Sequence, residues 1–137
     1  MSIVKYFLFL PCLLFFSFAL YGPEKTAIQV KASEKANHET PLYIFVKAVS
    51  FTQFLRDDYH QIVEEKLKDD SAFLQTGCVV PGETKLFQFD TPEKESVAVY
   101  CIFTKPGQDW KYFIDAEGPR NVKILIGENE IQSTSRF

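Results

Sequence analysis

From Thr26 onward, apolar and polar positions alternate in short blocks separated by turn-forming residues. Ile28, Val30 and Ala32 alternate with Gln29, Lys31 and Ser33, the period of a half-buried strand. Leu42 to Val49 repeats the pattern, with Leu42, Ile44, Val46 and Ala48 facing one way and Tyr43 and Phe45 the other. The period then changes. Phe51, Phe54, Leu55, Tyr59, Ile62, Val63 and Leu67 recur at three- and four-residue spacing, which predicts one amphipathic helix around 51–68. Ser50 with Gln53 reads as a capping box at its start, and Glu64 with Lys68 as an exposed ion pair near its end.

The strand pattern returns at Phe73–Val80, Lys85–Phe89, Val97–Thr104, Trp110–Asp115 and Val122–Ile126, with a short return at Ile131–Ser133. Pro81-Gly82, Thr91-Pro92, Lys105-Pro106-Gly107 and Gly127-Glu128-Asn129-Glu130 punctuate these runs. Seven or eight short strands at this spacing predict an all-β fold with a helical insertion, built as a two-sheet antiparallel β-sandwich. The helix is expected to cap an open edge or end.

The amino-terminal segment changes the picture by saying where the chain works. One lysine, Lys5, precedes an uncharged run from Tyr6 to Tyr21, and Ser17 and Ala19 supply small residues. That is the layout of a secretory signal. The run is shorter than the roughly 20 residues of a comfortable membrane span, and Pro11 interrupts it. The expected organisation is a signal segment at 1–19, with an uncleaved anchor as the alternative, a short tether at 20–25 and one domain at 26–137. Cys12 is a candidate for lipidation, although Pro11 stands where a small residue would precede a lipidated cysteine. Cys78 and Cys101 are read either as a disulfide, which an oxidising compartment permits, or as two buried thiols on neighbouring strands.

A formal net charge of −3, with Lys and Arg scattered singly among acids, argues against nucleic-acid binding. Candidate chemistry is sparse. Asp57, His60 and Glu64 fall on one helical face at a spacing that can hold a metal, but a solvated polar stripe accounts for them equally. His38 lies in the polar loop between the first two strands with no ligand cluster around it. There is no Gly-x-Ser-x-Gly elbow and no glycine-rich phosphate loop. The expectation is a non-enzymatic protein without cofactor, metal or small-molecule substrate.

The order of these elements resembles that of the TssJ family (SciN, VasD), outer-membrane lipoproteins of bacterial type VI secretion systems. The resemblance is carried by Thr26–Ser33 as first strand, Asn37 in the following loop, and the Pro41-led strand through Val46. Phe54, Asp58-Tyr59 and Ile62 follow in the helix, then Asp69-Asp70, Pro81-Gly82, Cys101-Ile102-Phe103 and Trp110-Lys111. It implies a transthyretin-like sandwich and a structural role. Such a protein sits at the outer membrane, where it anchors or braces the C-terminal periplasmic domain of a TssM-like inner-membrane protein. By position, the partner loop of the family falls on Ser33, Glu34, Lys35, Asn37, His38 and Glu39. This loop is shorter than is usual in the family and lacks its Gly-Arg-Pro run. The alternative is a stand-alone periplasmic ligand-binding or interaction sandwich, with Tyr43, Phe45, Tyr100 and Tyr112 forming an exposed aromatic patch.

Overall fold

The computed structural model describes residues 24–137; the signal segment, the anchor alternative and Cys12 lie outside the described residues. Eight strands alternate with turns: β1 (Lys25–Ala32), β2 (Leu42–Val49), β3 (Gln75–Val79), β4 (Thr84–Asp90), β5 (Ser96–Ile102), β6 (Lys111–Ile114), β7 (Asn121–Ile126) and β8 (Ile131–Arg136). They form two four-stranded sheets, ordered β4-β1-β7-β8 and β3-β2-β5-β6. Every ladder is antiparallel except β1 with β7, which is parallel.

The period-two pattern decides which side chains meet. Ile28, Val30, Phe87, Val122 and Ile124 from one sheet interdigitate with Leu42, Ile44, Val46, Val97 and Val99 from the other. Gly77 admits Phe87 into this interface, since a Cβ there would lie 2.6 Å from the Phe87 ring. Gly82, at φ 83°, occupies the left-handed position of the Pro81-Gly82 turn, which closes with Glu83 N donating to Val80 O at 2.9 Å.

The helical insertion differs from expectation in two ways. It is two helices, α1 (Phe51–Arg56) and α2 (Tyr59–Lys68), and it covers a sheet face rather than an edge. Phe45, Val49, Ala98 and Tyr100 on the outer side of the second sheet pack with Ile62 and Phe73, flanked by Phe54, Trp110 and Phe113. Ser50 caps α1 by accepting from Gln53 N at 3.1 Å. The Gln53 side chain does not reach back, as a full capping box requires, but donates to Asp57 Oδ1 at 2.7 Å. The exposed ion pair near the helix end joins Lys66 to Asp70 rather than Lys68 to Glu64.

The break between the helices falls at Asp57, whose extended backbone (ψ 119°) ends α1. Asp58 then caps α2 by accepting from His60 N at 2.8 Å. Asp57 turns inward: it is 6% exposed and accepts the Tyr100 hydroxyl on Oδ2. Lys111 Nζ donates to the carbonyls of Phe54 and, at 2.9 Å, Asp57. These are carbonyls that a helix end leaves without intrahelical partners. The Tyr59 hydroxyl donates to Phe103 O, and Lys47 pairs with Glu65 at 2.8 Å. The insertion is therefore fastened to the sheet by a buried polar knot as well as by apolar contact.

Two outcomes test this account. Tyr100→Phe strips one partner from a buried carboxylate and is expected to cost about 1–3 kcal/mol, read as a lower urea midpoint. Hydrogen exchange should rise in 51–68 more than in β2 or β5. The second outcome concerns alkaline pH. Burial holds the Cys101 thiol, the Tyr100 phenol (helped by Asp57) and the Tyr59 phenol protonated above their ordinary values of 9.0 and 10.0. The folded state thus binds protons that the unfolded chain releases. Stability should be fully present below those ordinary values and fall as pH rises through 9 and then 10; Cys101→Ala should flatten the first part of that fall.

Candidate partner-binding site

At one end of the sandwich the loop from Ser33 to Pro41 lies against the β7–β8 turn. Ser33 N donates to Ile126 O at 3.0 Å, and Asn37 N to Gly127 O at 3.2 Å. Three consecutive residues, Asn37 (φ 49°), His38 (φ 53°) and Glu39 (φ 63°), adopt left-handed backbone, which non-glycine residues seldom do. Asn37 makes the conformation hold. It is 1% exposed; its Nδ2 donates to Pro41 O at 3.0 Å, and its Oδ1 accepts from Thr104 N at 2.8 Å. Its own carbonyl accepts from the Thr40 hydroxyl at 2.6 Å. One asparagine joins the loop, the β5–β6 connection and the β7–β8 turn.

The sequence-predicted loop residues therefore divide. Asn37 points into the protein and is spent on internal hydrogen bonds, so it is a pin rather than a surface contact. Glu34, Lys35, His38 and Glu39 are exposed and Ser33 is half-buried. Around them is a concavity of about 530 Å³ lined by Ser33, Glu34, Lys35, Glu128, Asn129 and Glu130. A second hollow joins Lys35, His38 and Glu39 to Glu128. The β7–β8 turn, which the linear sequence marks only as a hairpin, is thus half of this surface; no local sequence signal brings 128–130 beside 33–39. A loop held in strained backbone by internal bonds is a feature that folds concentrate at functional surfaces.

The other chemical candidates separate. Asp57 does not share a solvent face with His60 and Glu64, because the helix break turns it inward; no group of three or more metal-ligating residues occurs among the described residues. Cys78 and Cys101 are both free, which rules out the disulfide reading here. Cys78 pairs with Tyr43 on one side of β2 while Cys101 pairs with Ile44 on its other side. The two thiols are thus two strand spacings apart, about 9–10 Å, beyond the 4.4–6.8 Å that a disulfide spans. They also face opposite sides of the sheet, Cys101 lying in the main core and Cys78 in an outer groove.

That groove, about 490 Å³ between α2 and β3, is lined by Tyr43, Phe45, Val63, Leu67 and Ile102. It does not realise the four-residue aromatic patch. Tyr43 is 57% exposed, Phe45 and Tyr100 are buried, and Tyr112 packs on the opposite, inter-sheet side.

A family model described as "IglE, N-terminal domain" matches residues 43–126, more than half of the chain. No curated protein matches the sequence. Among solved structures, the type VI secretion lipoprotein TssJ1 from Pseudomonas aeruginosa superposes with a TM-score of 0.67 at 17% identity, covering 85% of this chain and 98% of that one. Serratia marcescens Lip, a membrane-bound component of the type VI secretion system, gives 0.68 at 15% identity, covering 85% and 99%. A chain in a structure described as the TssM C-terminal domain (869-1107) from EAEC gives 0.64 at 14% identity, covering 82% and 98%. The fold is therefore the TssJ-type β-sandwich with a small helical insertion.

Removal of the pin tests the loop. Asn37→Ala leaves Thr104 N–H and Pro41 C=O without their partner and should cost about 2–3 kcal/mol, seen in denaturant unfolding. Glu39→Gly relieves a left-handed side chain and should leave stability equal or higher by up to about 1 kcal/mol.

Proposed function

The chain belongs to the IglE N-terminal domain family, and we propose that it works as a non-enzymatic component of a type VI secretion membrane complex. In this reading the chain is exported and tethered at the outer membrane. The loop end of its sandwich braces the periplasmic C-terminal domain of a TssM-like inner-membrane protein. The described TssJ1 and Lip relatives in fold are a lipoprotein and a membrane-bound component of that system, which supports the placement.

The observation that carries the reading is the separation of the two ends. Lys25 starts β1 beside Asp90, and Ala32 ends it beside Ile126 and the partner loop. Eight residues of extended strand put the loop about 25 Å from where the amino-terminal segment joins the domain. A tether at one end and a built, strained surface at the other suit a bracket between two bodies. No helix among the described residues is long and apolar enough to cross a membrane; attachment is proposed to lie in the amino-terminal segment. Its form is proposed as lipidation of Cys12 with cleavage just before it; the alternative, an uncleaved anchor, would hold the domain at the inner membrane instead.

The exposed loop side chains are proposed as the contact: Glu34, Lys35, His38 and Glu39, with Ser33 at the rim and Asn37 holding them in shape. Lys35→Glu with His38→Glu places like charge beside Glu34, Glu39 and Glu128. It is expected to lower co-purification with the periplasmic domain of the TssM-like protein from the same system by at least about tenfold, equivalent to about 1.4 kcal/mol. Unfolding free energy should fall by no more than about 1 kcal/mol, so the loss is of binding and not of fold. Wild-type retention by the double variant would remove the loop from the interface, and failure of the wild type to bind would remove the partner.

A further inference from the structure

The first helix of the insertion, which starts at the opposite end of the sandwich, carries apolar surface that neither core uses. On α1, Phe51 is 56% exposed and Leu55 61%, one helical turn apart on the same side. Phe51 sits edge-on against Phe113 at 5.2 Å and stacks on Phe54 at 6.5 Å. The ring is thus fixed from behind while more than half its surface faces outward. Two such side chains on one helix face, the ring held rigidly from behind, make a small uncovered apolar ridge.

Its place in the fold identifies the occupant. α1 starts where β2 ends, and Phe51 and Ser50 lie beside Lys94, Glu95 and Ser96. Glu24 is at this same end, because Thr91 N donates to Glu24 O at 2.8 Å. Directly upstream of Gly22 and Pro23 runs the uncharged segment from Tyr6 to Tyr21. A bilayer that holds this segment uncleaved lies within a few residues' reach of the end at which α1 starts.

We infer that the Phe51–Leu55 ridge is a membrane-contact surface, inserting at the boundary between headgroups and acyl chains of the bilayer that holds the amino-terminal segment. The inference rests on the uncleaved-anchor form of the proposed function. Apolar insertion drives the contact, because Glu24, Glu93, Glu95 and Glu117 outnumber Lys94 and Arg120 among the residues lining the neighbouring surface. Attraction to anionic headgroups is therefore not the source of binding, and added salt leaves it in place. The domain then rests on the bilayer with its loop end pointing away, rather than swinging on a flexible stalk.

The test uses the full chain in vesicles of phosphatidylethanolamine and phosphatidylglycerol, with p-benzoylphenylalanine in place of Phe51, Leu55 or, as the distal control, Glu128. Several-fold higher photo-crosslinking to phospholipid from 51 and 55 than from 128, not lowered by salt or by replacing phosphatidylglycerol with phosphatidylcholine, is the expected result. A chain recovered with the vesicles but lipid-crosslinked no more from 51 than from 128 would overturn the inference and leave the tether intact. Crosslinking of 51 to protein instead of lipid in native envelopes would overturn it in favour of a protein contact. Absence of the chain from the vesicle fraction would overturn the tethered reading itself.

Discussion

The second sheet is apolar on both faces, and the rest of the architecture answers to that constraint. Val97 to Cys101 in β5 are five consecutive buried residues, and Ile44, Phe45 and Val46 in β2 are three more. A strand with one wet face alternates; these do not, so two covers are needed. The first sheet supplies one and the helical insertion the other. Apolar contact alone would hold such a cover loosely, since greasy surfaces slide with little change in energy. The knot of Asp57, Tyr100 and Lys111 removes that freedom, because its donors and acceptors are satisfied in one register only. Burial still costs the charged groups hydration. Lys111 is held below its ordinary value by burial, with Asp57 and Asp58 pulling it back.

Most of the sandwich is legible in the chain because alternation and turn residues are local signals. All eight strands fall where apolar runs, most of them of period two, and Pro, Gly and Asn punctuation place them, and the outward turn of Tyr43 against the burial of Ile44 follows from parity alone. The same logic fails where a polar residue goes inside. Asp57 reads as part of a solvated helix stripe because a carboxylate on a helix normally belongs there. Its partners, Tyr100 and Lys111, stand 43 and 54 residues away, and no spacing rule connects them. The helix break goes with it, since Asp57 takes extended backbone there and Asp58 caps a new helix. The parallel β1–β7 ladder is likewise a matter of topology, joining strands separated by most of the chain.

The candidate site shows the same division at smaller scale. Polar composition and Pro41 identify Ser33–Thr40 as a loop, but not that it is pinned. Asn37 suits both a solvated loop and a left-handed corner, since asparagine tolerates that backbone better than most residues. Only the meeting with Thr104 and Gly127 selects the corner. The acidic turn at Glu128 to Glu130 joins the surface through the same meeting. A site made from two turns at one end of a sandwich is therefore half visible in sequence, in the half whose residues are contiguous.

The pairing of β1 gives the two ends a mechanical relation. β1 lies inside its sheet, flanked by β4 along seven register pairs and by β7 along six. It is also the chain segment that runs directly from the amino-terminal end of the domain to the loop proposed as the partner contact. A load applied between those ends acts along the strand axis, so the ladder bonds on both sides of β1 resist it together in shear rather than opening one after another. An edge strand in the same role would have half those bonds, and a hairpin loaded at its open end would unzip. For a protein proposed to hold two bodies in an envelope, a central strand as the connecting member is the arrangement that extends least before it fails. The loop's internal pin serves the same end, since a floppy contact surface would stretch before the strand carried any load.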